Sequence, residues 1–168
     1  EHVQVINVVD TTAPGFVEAL PGDVTVECDN IPEAPVLQGT DICDDNVQVT
    51  FNETISGQGE NCAGQYTITR TWTATDCAGN STEHVQVISV EDTIAPEITV
   101  QANDRNVDCE EFTEEDFENW LSSFAGASSS DNCSEVSWST NFSENNWVDI
   151  CGSSRYIDVI FRATDACG

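Results

Sequence analysis

The sequence predicts an all-β fold made of two tandem modules, and three observations lead to this prediction. The hexapeptide EHVQVI at residues 1–6 returns at residues 83–88, and the stretches that follow, NVVDTTAP and SVEDTIAP, differ at only a few positions. Apolar and polar residues alternate over 66–76 and 155–165, which is the period of a half-buried strand. The eight cysteines fall four to each half of the chain. A tandem repeat of small, disulfide-stapled β-modules explains all three features.

The repeat also sets the module boundaries. Residues 1–9 match STEHVQVISV, the last predicted strand of module 1, so we expect them to be the last strand of a preceding module. Module 1 then spans residues 10–91, and module 2 spans residues 92–168 and lacks its last strand. Either the chain is a window on a longer covalent array, or residues 1–9 of one copy complete module 2 of the next by strand donation. In both cases the partners are neighbouring copies of the same repeat.

The strands follow from the apolar periodicity of each module. Module 1 has NVQVTFNET (46–54), then YTITRTWTATD (66–76), which a turn at CAGN joins to the antiparallel strand STEHVQVISV. Module 2 has EVSWSTNF (135–142) and RYIDVIFRATD (155–165). Short strands separated by turns are typical of a β-sandwich, and we predict immunoglobulin-like β-sandwiches in tandem.

Module 2 contains one segment with a helical pattern, FTEEDFENWLSSFAG. Thr113 can cap the first turn, Phe112 and Phe117 can form a hydrophobic staple, and Gly126 can end the helix. Phe117, Trp120, Leu121 and Phe124 then share one face. We therefore predict an inserted amphipathic helix at about residues 114–125, packed on the sandwich through that face.

The charge and the cysteines limit the possible functions. The net charge is −27, with 31 acidic residues and four basic ones, so the chain would repel a nucleic acid backbone. No apolar run is long enough to cross a bilayer. An even set of cysteines without CxxC pairs indicates structural disulfides and an oxidising, extracellular location. No catalytic constellation is recognisable, and we expect no enzymatic activity.

Strand length restricts the disulfide pairing. Cys62 and Cys77 flank an eleven-residue strand that spans roughly 33 Å, whereas bridged Cα atoms lie within about 7 Å of each other. Cys43, at the start of the preceding strand, should lie near Cys77. This predicts Cys43–Cys77 and Cys28–Cys62 in module 1, and the alignment of the two modules predicts Cys133–Cys167 and Cys109–Cys151 in module 2.

The same geometry gathers oxygen ligands near these cysteines. Calcium takes six to eight hard oxygen ligands, so a calcium site at the module junction is a hypothesis, although Asp is also common in turns for conformational reasons alone. The candidate ligands are Asp10, Asp41, Asp44, Asp45 and Asp76 in module 1, and Asp92, Asp131 and Asp165 in module 2.

The phrases TWTATDCAGNST, VEDTIAPEITV, DNCSEVSW and VTVECDNIPEAPVL resemble hyalin-type (HYR-like) immunoglobulin-fold repeats. Such repeats occur in tandem in very long surface adhesins of Bacteroidota, including gliding-motility adhesins. The resemblance implies structural modules of an extracellular stalk or filament at the cell surface. The alternative is a calcium-dependent module that binds a glycan or a surface, for which Trp147 would be an exposed contact. Thr11 and Thr93 also resemble the O-glycosylation signal of Bacteroidota, although a plain linker turn explains both sequences.

Overall fold

A computed structural model describes residues 1–59, 62 and 64–168. The chain forms two compact units. Unit 1 contains residues 1–59 and 65–91, and unit 2 contains residues 92–168 together with Cys62 and Gly64. The segment that carries Cys62 therefore belongs to module 1 by sequence but to unit 2 by its contacts.

Unit 1 is built on a four-stranded sheet. Its strands are β1 (Gly15–Phe16), β2 (Val24–Glu27), β3 (Gly39–Thr40), β4 (Gln48–Ser56), β5 (Tyr66–Thr75) and β6 (Ser81–Glu91). The order in the sheet is β2-β6-β5-β4, with β4, β5 and β6 antiparallel and β2 parallel to β6. Strands β1 and β3 form a separate antiparallel pair.

The core of unit 1 lies on one face of β5 and β6. Every second residue of β5 from Ile68 to Ala74 is buried, as the alternation predicts for a half-buried strand. Trp72 is the largest of these and is 1% exposed. Its ring packs on Phe51 with a centroid distance of 5.1 Å, and its Nε1–H donates to the Pro35 carbonyl at 3.2 Å. Trp72 therefore ties the sheet to the segment before β3.

The described residues of unit 2 form three antiparallel strand pairs and one α-helix. The strands are β7 (Glu97–Val100), β8 (Ser128–Ser130), β9 (Ser137–Thr140), β10 (Val148–Cys151), β11 (Ser154–Tyr156) and β12 (Phe161–Thr164). They pair as β7–β8, β9–β12 and β10–β11. The single strand predicted over 155–165 is thus wrong in detail, because its two ends pair with different partners and form β11 and β12.

The helix α1 spans Glu114–Ser122 and is followed by a 3₁₀ turn at Phe124–Gly126. Thr113 caps it, since its Oγ1 accepts from the Asp116 N–H at 3.1 Å. The rings of Phe112 and Phe117 lie 6.2 Å apart, as a hydrophobic staple requires. The backbone then turns to positive φ at Phe124, Ala125 and Gly126, which ends the helix.

The all-β prediction with one helix is confirmed by this set of elements. Residues 1–9, whose copy at residues 83–88 lies in β6, form no strand among the described residues. Their apolar side chains are exposed: Val3 is 85%, Ile6 88% and Val8 91% accessible to solvent. Within the part of the chain that the structure describes, no helix is long and apolar enough to cross a membrane.

Candidate functional site

The structure contains two clusters of acidic residues and cysteines, one in each unit. The first pole lies in unit 1 and the second pole lies in unit 2. The first pole contains Asp10, Asp41, Cys43, Asp44, Asp76, Cys77 and Asn80. The second pole contains Asp92, Asp131, Cys133, Ser134, Asp165 and Cys167.

At the first pole, Asp10, Asp41 and Cys43 each place one ligand atom so that all three atoms lie within 4.8 Å of one another. Asp10 Oδ1 accepts from the Thr12 N–H at 3.0 Å, while its Oδ2 is buried and has no hydrogen-bond partner. Asp41 Oδ1 accepts from the N–H groups of Cys43 at 2.8 Å and Asp44 at 3.2 Å. Asp41 therefore shapes the turn that presents Cys43.

Asp44 and Asp76 connect this turn to the β5–β6 turn. Asp44 Oδ2 accepts from the Cys77 N–H at 2.8 Å, so the structure brings the two turns together. Asp76 accepts from the Asn80 N–H and from Asn80 Nδ2, each at 2.8 Å, and from the Ala78 N–H at 2.9 Å. Burial alone would raise the pKa of Asp76, but these hydrogen bonds outweigh it and the pKa is lowered. Asp76 is therefore held as a carboxylate.

The carboxylates raise the pKa of both thiols at the first pole. For Cys43 the main cause is the Asp10 charge, followed by partial desolvation and by Asp41 and Asp76. For Cys77 the main cause is Asp44. Negative charge nearby disfavours the thiolate, so both groups are kept protonated at neutral pH.

At the second pole, Asp92 is the central carboxylate. It is 5% exposed, and its Oδ2 accepts from the Ser134 hydroxyl at 3.1 Å while its Oδ1 is buried without a hydrogen-bond partner. Burial raises the pKa of Asp92, and the neighbouring charges of Asp131 and Asp165 raise it further, although the Ser134 hydrogen bond opposes them. A buried carboxylate among like charges is stabilised by a nearby positive charge.

Asp131 and Asp165 complete the second pole. Asp131 Oδ1 accepts from the N–H groups of Cys133 and Ser134, each at 2.8 Å, and its Oδ2 is buried and unpaired. Asp165 Oδ1 accepts from the Cys167 N–H at 2.7 Å. One carboxylate oxygen each from Asp92 and Asp165 lies within 4.8 Å of the other. The turn around Cys133 thus repeats the turn that Asp41 forms around Cys43.

Most of the predicted calcium ligands therefore lie in two groups of oxygens, each with buried atoms that no described donor satisfies. Asp45 differs, since its side chain is exposed. A cluster of carboxylates with unpaired buried oxygens has the donor chemistry that calcium prefers. The sequence interpretation missed the supporting part of Ser134, whose hydroxyl donates to Asp92 and accepts from the Ala166 N–H.

The structure corrects the predicted disulfides. Cys62 is bonded to Cys167, with a Cα–Cα distance of 5.0 Å and a sequence separation of 105 residues. The predicted pairs Cys28–Cys62 and Cys133–Cys167 are therefore wrong, although Cys28 and Cys133 are each disulfide-bonded. The physical reason is that Cys62 belongs to unit 2, where it is 8% exposed and meets the end of module 2.

The other two predicted pairs, Cys43–Cys77 and Cys109–Cys151, do not form in this structure. All four of these residues are free thiols, and all four are exposed. Cys62 and Cys77 are not bonded to each other, as strand length predicts, because the ten-residue strand β5 lies between them.

Gly64 shows how closely the Cys62 segment approaches the second pole. A Cβ atom on Gly64 would lie 2.5 Å from Asp92 Cβ, closer than real side chains allow. Only glycine therefore permits this approach, and the sequence offered no signal for it other than the residue type.

Trp147, proposed as an exposed contact, lies in an aromatic cluster beside α1. Its ring centroid is 5.3 Å from that of Phe117, and the Arg155 guanidinium lies 4.1 Å above the ring. Trp147 is half-buried. A cavity of about 1070 Å³ lies between α1 and the β10–β11 hairpin and is lined partly by Trp120, Trp147 and Arg155.

Comparison with known proteins gives a family match for one part of the chain. Residues 16–90 match the family described as the HYR-like domain with 4 cysteines. The matched stretch contains Cys28, Cys43, Cys62 and Cys77. The predicted resemblance to HYR-like repeats is therefore confirmed for this stretch, which covers most of module 1. No curated protein matches the chain.

Proposed function

We propose that the chain is a pair of structural repeats from an extracellular stalk or filament of a bacterial surface adhesin, with immunoglobulin-like modules joined in tandem. The observation that carries this proposal is the Cys62–Cys167 bond. It joins the third cysteine of module 1 to the fourth cysteine of module 2, across 105 residues of sequence. Under tension, this bond carries the load past the residues between Cys62 and Cys167, so that they do not extend.

The remaining support comes from the chemistry of the surface. HYR-like domains with disulfides are modules of the extracellular type, and the chain carries a net charge of −27. Strong negative charge keeps an exposed array soluble and discourages contact between arrays. The modules act mainly on their neighbours, so the function is mechanical, and no catalytic role is proposed.

Single-molecule pulling tests this proposal. With Cys62–Cys167 intact, the chain between these residues cannot extend, whereas reduction should release 105 further residues, a gain of roughly 350–380 Å in contour length at about 3.3–3.6 Å per residue. The variant Cys43→Ser/Cys77→Ser serves as a control, because it removes two thiols that are not bonded in the structure. Equal contour lengths before and after reduction would contradict a load-bearing role.

The second candidate function is calcium binding at the two poles, which would stiffen the module junction. The specific observation is the set of buried, unpaired oxygens, Asp10 Oδ2, Asp92 Oδ1 and Asp131 Oδ2. Asp92 carries the most weight because it is 5% exposed and faces two further carboxylates. A calcium ion would satisfy these oxygens and offset the repulsion among the charges.

Calorimetry with and without a chelator tests the calcium site. At an affinity typical of extracellular modules, roughly 2 mM calcium would stabilise each site by about 0.6–1.8 kcal/mol. The double variant Asp10→Asn/Asp92→Asn should lose this gain, whereas Asp45→Asn should keep it because Asp45 is exposed. An identical melting temperature of the unmodified chain in calcium and in chelator would rule the site out.

A calcium-dependent module that binds a glycan or a surface remains the alternative function. It would use Trp147 as a contact, but the contacts of Trp147 with Phe117 and Arg155 favour a packing role. Trp147→Ala should therefore lower the stability of unit 2. Loss of adhesion with an unchanged melting temperature would favour the binding function instead.

O-glycosylation of Thr11 and Thr93 is also part of the proposed extracellular function. Thr11 and Thr93 are both exposed, as O-glycosylation requires. An intact mass of the native protein equal to that of the unmodified sequence would remove glycosylation from the proposal.

A further inference from the structure

The four free thiols fall into two sets, and the bond Cys62–Cys167 points to a partner for one thiol of each set. In the order of the repeat, Cys43 and Cys77 are the second and fourth cysteines of module 1, and Cys109 and Cys151 are the first and third of module 2. The bond Cys62–Cys167 joins a third cysteine to the fourth cysteine of the next module. If the same pattern continued along an array, Cys77 would bond to the third cysteine of the preceding repeat. Cys151 would bond to the fourth cysteine of the following repeat.

The first pole is built in the same way as the pole that already carries a bond. Asp41 accepts from the Cys43 N–H at 2.8 Å, and Asp131 accepts from the Cys133 N–H at 2.8 Å. Asp76 accepts from the Ala78 N–H at 2.9 Å and Asp165 accepts from the Cys167 N–H at 2.7 Å, so the turns match and Cys77 lies one position earlier in its turn than Cys167 does. At the second pole, Cys167 is bonded. At the first pole, the equivalent Cys77 is exposed and free.

The two poles also correspond in the place where the preceding segment joins them. Residues 1–9, which repeat the sequence of β6, join module 1 at Asp10, and Asp10 lies within 4.8 Å of the Cys43 thiol by their ligand atoms. Module 1 joins module 2 at Asp92, and a carboxylate oxygen of Asp92 lies within 4.8 Å of the Cys167 sulfur. A module attached before Asp10 therefore enters at the pole where Cys43 and Cys77 are exposed, as module 1 enters at the pole of Cys167.

From these correspondences we propose that Cys43, Cys77, Cys109 and Cys151 form disulfides with neighbouring repeats, so that the modules make a continuous covalent ladder. Cys77 takes the third cysteine of the preceding repeat, and Cys151 takes the fourth cysteine of the following one. Cys43 and Cys109 complete the second bond of each junction. The partner is a further copy of this four-cysteine repeat. This inference deepens the proposed stalk function by naming the partner of each end.

The chemistry of each bond is ordinary disulfide exchange. Two S–H bonds break and one S–S bond forms, while two protons and two electrons pass to a disulfide oxidant, which is reduced to two thiols.

Two complementary variants of the full chain test the ladder. Cys109→Ser/Cys151→Ser keeps only the thiols of the first pole, and Cys43→Ser/Cys77→Ser keeps only those at the other end. In a glutathione redox buffer each variant alone should stay at the mass of one chain, 18.2 kDa. An equimolar mixture should give a species of twice that mass, and the unmodified chain should give a series of multiples.

Peptide mapping of the mixed product identifies the bonds. We expect a peptide containing Cys77 joined to one containing Cys151. A mixture that stays monomeric, a dimer of either variant alone, or the loss of two hydrogen atoms in a monomer through a Cys43–Cys77 bond would each overturn the proposal. Circular dichroism of each variant checks folding, which should be unaffected because all four residues are exposed.

The mass of native material before and after reduction separates the two sources of the partner. Neighbouring repeats within one chain leave the mass unchanged, whereas repeats on separate chains release single chains. Pulling experiments address the mechanical role independently of this result, so a failure of the ladder and a failure of the stalk function are distinguishable.

Discussion

Removal of the Cys62–Cys167 bond should strongly destabilise unit 2. The perturbation is Cys62→Ser/Cys167→Ser, which replaces each sulfur by an oxygen and leaves the backbone unchanged. Cys62 is buried, so the change also leaves a buried hydroxyl group at this position.

The magnitude follows from the length of the closed loop. For the separation of 105 residues, the chain-entropy model gives about 4.8 kcal/mol at 25 °C. The dependence on length is logarithmic, so halving the effective loop by another crosslink changes the value by only about 0.6 kcal/mol. Domains of this size are stable by about 5–15 kcal/mol, so the bond supplies a large share of the free energy of unfolding.

Urea denaturation followed by tryptophan fluorescence measures this change. Trp120, Trp138 and Trp147 lie in unit 2 and report on its unfolding, whereas Trp72 lies in unit 1. We expect the midpoint of the unit 2 transition to fall by roughly 2–4 M urea. The melting temperature should fall by roughly 20–40 °C.

The matched control is Cys43→Ser/Cys77→Ser, which removes two exposed thiols that are not bonded. Exposed substitutions of this kind change stability by about 0.5 kcal/mol or less. If both double variants unfolded at the same urea concentration, the Cys62–Cys167 bond would not be part of the folded protein, and the ladder inferred from it would fail as well.

Three further predictions concern particular side chains. Trp72→Ala should destabilise unit 1 by about 3–5 kcal/mol, because Trp72 is 1% exposed; equilibrium unfolding measures this, and a loss below that of Phe51→Ala would contradict its central place in the core. Gly39→Ala should cost about 1–3 kcal/mol because a Cβ there overlaps the Val47 side chain, whereas Gly22→Ala, with no heavy atom within 4 Å, should be neutral in thermal unfolding. Asp92→Asn should stabilise the chain in calcium-free buffer at neutral pH. The raised pKa of Asp92 means that the folded state binds its proton more tightly, so stability is lost as the pH rises through the folded pKa. The advantage of the variant should vanish at low pH, and melting curves that differ equally at all pH values would refute this reasoning.

The elements with strong periodicity could be predicted from the sequence. Strands β5 and β6 follow the alternation of YTITRTWTATD and STEHVQVISV, because each strand buries one face and leaves the other partly exposed. The helix follows from its cap and staple, Thr113 with Phe112 and Phe117. In each case the information is local, so a short window of sequence is sufficient.

Features that depend on distant partners could not be predicted. The alternation over 155–165 continues through a break, because β11 pairs with β10 and β12 pairs with β9. The disulfides failed for a related reason: the spacing of cysteines within one module limits only pairs inside that module, and Cys62 is bonded to a cysteine of the next. The acidic poles were predictable as groups, but the burial of Asp92 beside Gly64 was not.

The position of the arginines relative to the Cys62–Cys167 bond has a consequence for proteolysis. The chain has no lysine, and its four arginines, Arg70, Arg105, Arg155 and Arg162, all lie between the two bonded cysteines. Any single cut by a protease of trypsin specificity therefore leaves both fragments attached to each other. A protein exposed to secreted proteases would survive such a cut as one connected molecule, and the damage would become visible only after its disulfides were reduced.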